Sequence, residues 1–219
     1  MKKTTKPSLS ARRRPLQRRS AQLVDDILEA ALRVLAHDGA RGFTTVRVAE
    51  EAGVSVGSLY QYFPNREALL FRLQTDEWEE TWSVLEEILA DPRFKPRERL
   101  RRAVLAFFRS ERLEAAVRAA LDDAGALFRD APEARAHVAR ARRCLDAFAG
   151  ELLPGSAPGE RAFVADFMMT SMSAVAERIT SEGRGRADVD AWAKASADMY
   201  CAWLDTLATP KPATPPRPR

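Results

Sequence analysis

Between Thr44 and Pro64 the sequence leaves room for only two very short helices, and they must cross closely. Thr44 or Thr45 and then Ser55 carry hydroxyls suited to capping helix N-termini, Gly53 interrupts between them, and Pro64 stops the second segment. Ala49, Gly53 and Leu59 stand at offsets of 0, +4 and +10. A small residue inside the first helix lets the second approach, glycine accepts a turn closed to other residues, and a leucine inside the second helix anchors it. That combination defines a helix-turn-helix unit. Val46, Val48, Val54 and Phe63 are expected to supply its apolar undersides.

The rest of the chain agrees with a wholly helical reading. No stretch alternates β-branched residues at period 2, and Ala, Leu, Arg and Glu dominate. Val24, Leu28, Ala31 and Leu35 make a single apolar stripe on a first helix that starts near Arg18 or Ser20 and ends at Gly39 and Gly42. After the two short helices, Asn65 caps a long helix from Arg66 to about Ala90. Helices at 97–112 and 113–128 follow with an uncertain break, then one from about Asp130 to Leu153. The linker Pro154–Gly159 and the loop Gly183–Gly185 set off the last two, Glu160–Ser181 and Ala187–Ala208. About nine helices are expected in an all-α fold. Residues 18–65 are expected to form a three-helix unit and 66–208 a separate helical body. Residues 1–17 are read as a basic disordered arm, and 209–219, with five prolines, as a disordered tail.

Charge separates these parts. The first 19 residues hold eight Lys/Arg and no acid, and the first 66 hold twelve against six, whereas the whole chain is only +4. A basic end on a more acidic body points to a polyanionic partner for that end. Other classes are disfavoured. The longest uninterrupted apolar run, Ala103–Phe108, is six residues, so no membrane span is expected. Two cysteines and two histidines make neither a disulfide framework nor a metal set, and no phosphate loop, zinc motif or nucleophile elbow is present. The reading is of a cytoplasmic protein that is not an enzyme and carries no cofactor.

The run from Thr44 to Leu70, with its core Ala52-Gly53-Val54-Ser55-Val56-Gly57-Ser58-Leu59-Tyr60-Gln61-Tyr62-Phe63, resembles the DNA-binding signature of TetR/AcrR-family transcriptional regulators. The resemblance covers about residues 18–72, and it implies that 18–65 form the DNA-binding domain and 66–208 the ligand-binding and dimerisation domain. It implies a homodimeric regulator of double-stranded DNA, most simply a repressor released from a palindromic operator by a small, largely apolar effector. A TetR-like protein without an inducer, in an architectural or cell-division role, is the alternative. The matched motif puts Thr45 and Arg47 near phosphate and groove edge. Ser55, Val56, Gly57, Ser58, Tyr60, Gln61 and Tyr62 lie on or beside the recognition helix, and Arg66 takes a position used for phosphate contact. Serine hydroxyls suit phosphates, Gln61 can pair with adenine, and Val56, where many members have Lys, can meet a thymine methyl.

In the body, Glu160–Ser181 carries two apolar stripes, Phe163/Phe167/Thr170/Ala174 and Val164/Met168/Ser171/Val175. The last helix pairs Trp192/Ser196/Met199/Trp203 against Ala193/Ala197/Tyr200/Leu204. One chain's core accounts for one stripe of each helix, and a symmetric partner for the other. Phe167, Ala174, Ala197, Met199 and Trp203 are the candidate dimer residues. Trp82, Phe107, Phe108, Phe128, Met168 and Met172 are the candidate effector-lining residues. Asp166 and His137 are expected at the surface, and His37 is expected to cap the end of the first helix.

Overall fold

The computed structural model describes residues 18–121, 128 and 131–208. Among these residues there are eight helices and no strand: α1 (Arg18–Gly42), α2 (Thr45–Glu51), α3 (Val56–Tyr62), α4 (Arg66–Ala90), α5 (Pro96–Leu121), α6 (Pro132–Leu152), α7 (Pro158–Ser181) and α8 (Arg186–Ala208). The break expected near 112 is absent, because nothing in Arg-Ser-Glu-Arg-Leu interrupts helical hydrogen bonding, and α5 runs on to Leu121. Of the expected helix 113–128, residues 122–127 lie outside the described residues, as do the expected arm, 1–17, and tail, 209–219.

The chain packs as two compact units. One takes its described residues from Met1–Trp82 and Ser110–Ala139, the other from Ser83–Arg109 and Arg140–Arg219. The first unit is therefore larger than the three helices expected. Phe71 and Leu73 of α4, Val117 and Ala120 of α5, Phe128 and Ala134 join Val24, Ile27, Leu28, Val34 and Leu35 of α1 in one core. Phe71 meets Phe128 edge to face, with centroids 4.7 Å apart.

The local structure follows from caps and one turn. α1 kinks at Gly39 and closes at Gly42. Thr44 Oγ1 accepts the Arg47 amide at 3.2 Å to start α2. Ser55 Oγ accepts the Ser58 amide at 3.0 Å to start α3, and Asn65 Oδ1 accepts the Ala68 amide at 2.7 Å to start α4. Between α2 and α3 the Gly53 amide donates to the Glu50 carbonyl at 3.1 Å and the Val54 amide to the Ala49 carbonyl at 3.0 Å. Gly53 has φ of 66°, a left-handed turn that other residues take only at a cost. Val48, Ala49, Leu59 and Phe63 are all buried in the core this turn permits. Val46 is not an underside residue as expected: it is 49% exposed, since α2 turns it away from α1.

In the second unit α7 packs on α8. Val164, Met168 and Met172 of α7 and Ala193, Ala197, Tyr200 and Leu204 of α8 are buried. Tyr200 OH and Ser171 Oγ share a hydrogen bond of 2.9 Å. Antiparallel to α5, α8 meets it through Arg97–Asp205 at 2.9 Å, Arg101–Asp198, and a bidentate Arg109–Asp190 pair at 2.7 and 2.8 Å. No described helix is long and apolar enough to cross a membrane.

Gly53→Ala should destabilise the protein by about 1–2 kcal/mol through its left-handed turn. Leu59→Ala should cost about 2–5 kcal/mol through the cavity left in the core. Urea denaturation checks both, and wild-type midpoints for the pair would contradict this account of the turn.

Candidate nucleic-acid interface

The surface formed by α2 and α3 brings together some of the expected residues and withdraws others. Ser55, Gly57 and Gln61 are exposed, Val56 and Ser58 half-buried, and Tyr60 is 39% exposed. They occupy the start and the outer face of a seven-residue helix. Gly57 presents bare backbone, because a Cβ there would meet only Ser55 Oγ at 3.7 Å. Ser55 and Ser58 hydroxyls share a hydrogen bond of 2.8 Å, which orients both at the helix N-terminus. Such a face offers hydroxyls, an amide side chain and a phenol, groups that bond phosphate oxygens and base edges.

Three expected members stand differently. Tyr62 is only 8% exposed and belongs to the first unit's core, because it leaves α3 on the same side as Leu59. Thr45 is likewise buried, and its hydroxyl lies 3.1 Å from Tyr60 OH. It props the tyrosine instead of facing outward. Arg66 is half-buried and donates to the Phe43 carbonyl at 3.0 Å and the Ala40 carbonyl at 3.2 Å. These bonds satisfy carbonyls freed at the end of α1, and the guanidinium also lies 6.0 Å over the Phe43 ring. The charge expected to meet phosphate thus ties α4 to α1.

Arg47 remains exposed but is engaged. Its Nε donates to Asp38 Oδ2 at 3.2 Å and its Nη1 to Glu50 Oε2 at 2.9 Å. Asp38 is also met by His37 Nδ1 at 2.6 Å, so His37 binds a carboxylate instead of capping carbonyls. Hydrogen bonds from His37 and then Arg47 hold the Asp38 carboxyl below its usual range. Nearby, Arg33 Nε bonds Glu51 at 2.7 Å, a second link between α1 and α2. The acidic partners of Arg47 escaped the sequence reading because they come from two different helices.

The candidate effector residues divide between the two units. Trp82 and Phe128 belong to the first unit, while Phe107, Phe108, Met168 and Met172 belong to the second. All but the half-buried Phe107 are buried. A groove of about 490 Å³ in the second unit is lined by residues of α4 and α6, including Leu89, Cys144, Ala147 and Phe148. Two ion pairs rim it: Glu86 with Arg140, bidentate at 2.8 Å, and Glu151 with the buried Arg99 at 2.5 Å. Burial pushes the Cys144 thiol up, which keeps it protonated at neutral pH. His137, expected at the surface, is sandwiched in the first unit. It stacks on Trp78 at 4.6 Å and accepts the Trp82 indole N–H at 3.2 Å. Asp166 is exposed as expected and pairs with Arg142 at 3.0 Å.

The candidate dimer residues divide along the two stripes. Phe163, Phe167, Thr170 and Ala174 are exposed, and so is Met199. Phe163 lies 6.4 Å and Phe167 4.8 Å from the half-buried Trp203 ring, so these aromatics share one patch. Ala197 is the exception. It is 2% exposed, in the protomer's own core, because it lies on the face of α8 that also carries Ala193, Tyr200 and Leu204.

Two capped short helices, crossed on a left-handed turn with a polar outer face, make this a helix-turn-helix protein of the DNA-binding class. A family model described as "Bacterial regulatory proteins, tetR family" matches residues 27–73. Another, "Tetracyclin repressor-like, C-terminal domain", matches 95–207, more than half of the chain. The chain belongs to the TetR family of DNA-binding transcriptional regulators. Curated relatives include the HTH-type transcriptional regulators BetI of Burkholderia cenocepacia and Burkholderia lata, 33% identical over 99 residues. That match takes in 45% of this chain and 49% of theirs, so it spans about half of their length. Among solved structures, a transcriptional regulator from Rhodococcus sp. Rha1 superposes with a TM-score of 0.67 at 19% identity, covering 86% of this chain and 99% of that one. FadR from Bacillus subtilis in complex with stearoyl-CoA gives 0.61 at 17%, covering 81% and 97%. SmeT, the repressor of the Stenotrophomonas maltophilia multidrug efflux pump SmeDEF, gives 0.60 at 19%, covering 89% and 97%. At these identities the structures share a fold with this chain.

Tyr62→Ala should cost roughly 3–5 kcal/mol of stability, as removal of a buried aromatic does, whereas Tyr60→Ala should cost about 1 kcal/mol or less. Chemical denaturation of the two variants side by side checks this. Equal losses would contradict the placement of Tyr62 in the core.

Proposed function

We propose that the protein is a transcriptional repressor that holds a two-fold symmetric operator as a homodimer and leaves it when a small molecule binds the body. The observation that carries the DNA half of this reading is the outer face of α3, where Ser55, Gly57, Tyr60 and Gln61 stand exposed behind a buried Leu59. A seven-residue helix reads few bases, so useful specificity needs two half-sites held at a fixed spacing. The exposed Phe163, Phe167 and Met199 beside Trp203 support the dimer, because a soluble monomer seldom leaves such a patch uncovered. Release by a ligand is supported by kinship of fold with a repressor and with a regulator that binds an acyl-CoA. The effector is proposed to be largely apolar. Ser55, Ser58, Tyr60 and Gln61 are proposed to meet DNA directly, with Val56 and Gly57 at close approach. Arg47 meets phosphate, and Thr45, Tyr62 and Arg66 support them from beneath.

Selection of bound sites from random duplex DNA by the purified protein tests this reading. The expected product is a palindrome. Tyr60→Ala and Gln61→Ala should each weaken binding to it by about 1–3 kcal/mol. Full affinity in both variants would overturn the placement of the reading face. In a small-molecule thermal-shift screen, compounds that raise the melting temperature should also release the operator; stabilisation without release would contradict the effector half.

For the dimer, Phe167→Glu and Met199→Glu should yield folded monomers that no longer hold a palindromic site. Ala197→Glu buries a carboxylate inside one protomer and should unfold it, at a cost of several kcal/mol. Light scattering and circular dichroism separate the two outcomes. A wild-type monomer at micromolar concentration would refute the dimer.

A further inference from the structure

The environment of Arg47 is more than a surface ion pair. α1 ends so that Asp38 lies beside α2, and its position is built in by the chain. A Cβ on Gly42 would stand 2.5 Å from Asp38 Cβ, too close for any side chain there while Asp38 stays in place. The Asp38 side chain is only 19% exposed, with His37 on one oxygen and Arg47 on the other. Glu50, one helical turn further along α2, takes the other edge of the guanidinium. Glu51 is not free to compete, being held by Arg33. Arg47 therefore stands on the reading surface facing two carboxylates.

We propose that Asp38 and Glu50 mask Arg47, so that it reaches a DNA phosphate only where the rest of the recognition surface docks well enough to draw it off both carboxylates. The proposal rests on the reading above that the α2–α3 face meets DNA. Its physics is an exchange. An exposed ion pair is weak, so a phosphate can replace a carboxylate at little cost once it is held close. On arbitrary duplex, binding is mostly electrostatic and the contacts are not fixed in place. There Arg47 stays on its carboxylates, and their charge opposes the phosphates. On the operator, base-edge contacts by α3 fix the backbone nearby and the exchange goes through. Asp38 and Glu50 thereby widen the gap between specific and non-specific binding, although neither touches a base.

Asp38→Asn and Glu50→Gln, each alone and with Arg47→Ala, measured on a non-operator duplex and on the selected palindrome across a salt series, test the mask. Either neutral variant should strengthen non-operator binding and steepen its salt dependence by about one unit in the slope of log K against log [salt]. Operator binding should strengthen less, so the specificity ratio falls several-fold. With Arg47→Ala only the smaller gain from lifting the carboxylate's repulsion of phosphate should remain. An undiminished gain in the Arg47→Ala background overturns the proposal, since it would reflect only plain repulsion of DNA by the carboxylate. So does wild-type behaviour of both neutral variants. Glu50 is exposed on α2, so Glu50→Gln keeps the test open should Asp38→Asn lose thermal stability. A wild-type protein that binds no duplex overturns the reading of the face itself, an outcome distinct from an intact face with no mask.

Discussion

The reading surface depends on one turn. Gly53 at φ of 66° closes α2 with two hydrogen bonds and sends the chain into α3 at an angle no extended residue would give. With that angle set, Ala49 is small enough to admit the second helix, Leu59 and Phe63 enter the core, and Tyr60 and Gln61 are left outside. Each exposed group on α3 therefore owes its position to a buried neighbour one to four residues away. The Thr45 hydroxyl against Tyr60 OH adds a lateral prop from α2. A seven-residue helix has little stability of its own, so this packing keeps the surface in one shape.

The α2–α3 unit was the most legible part of the sequence, because its signals are local. Caps at Thr44, Ser55 and Asn65 act within three residues, and the glycine turn acts within five. Where the sequence reading slipped, the deciding contact was distant. Tyr62 and Tyr60 are the same residue type two positions apart, and only the direction of the helix against the core separates them. Arg66 holds a phosphate-contact position in the motif, yet its guanidinium bonds the carbonyls of Ala40 and Phe43, more than twenty residues away. His137 likewise met Trp78 and Trp82 from some 55 residues away.

The body shows the same division. Periodicity on α7 and α8 separated two stripes correctly, and in each helix one stripe proved buried and the other largely exposed. It did not say which stripe faces inward, and so Ala197 was grouped with Met199 across the helix. Small size was the misleading cue, since alanine allows close approach to any neighbour, whether inside the protomer or across an interface. The pairing of Arg97, Arg101 and Arg109 with Asp205, Asp198 and Asp190 could have arbitrated. The arginines recur at near-helical spacing on α5, and the aspartates run in reverse order on α8. An antiparallel ladder between the two helices accounts for both.

These ion pairs bear unequally on stability and on function. Arg97, Arg101 and Arg109 each have one principal acidic partner across the α5–α8 seam, and water reaches most of them. Their worth lies in register more than in energy. Arg47 faces two carboxylates from two helices, also in water's reach, and adds little to the fold. It sits, however, on a surface whose other groups suit a polyanion. The same weakness that makes an exposed ion pair a poor fastener makes it an easy one to exchange. A competing phosphate need only match a carboxylate that water already loosens. Within this fold the buried contacts, Leu59 and Tyr62 foremost, set where the surface is, and the exposed charges set how readily it responds to what approaches it.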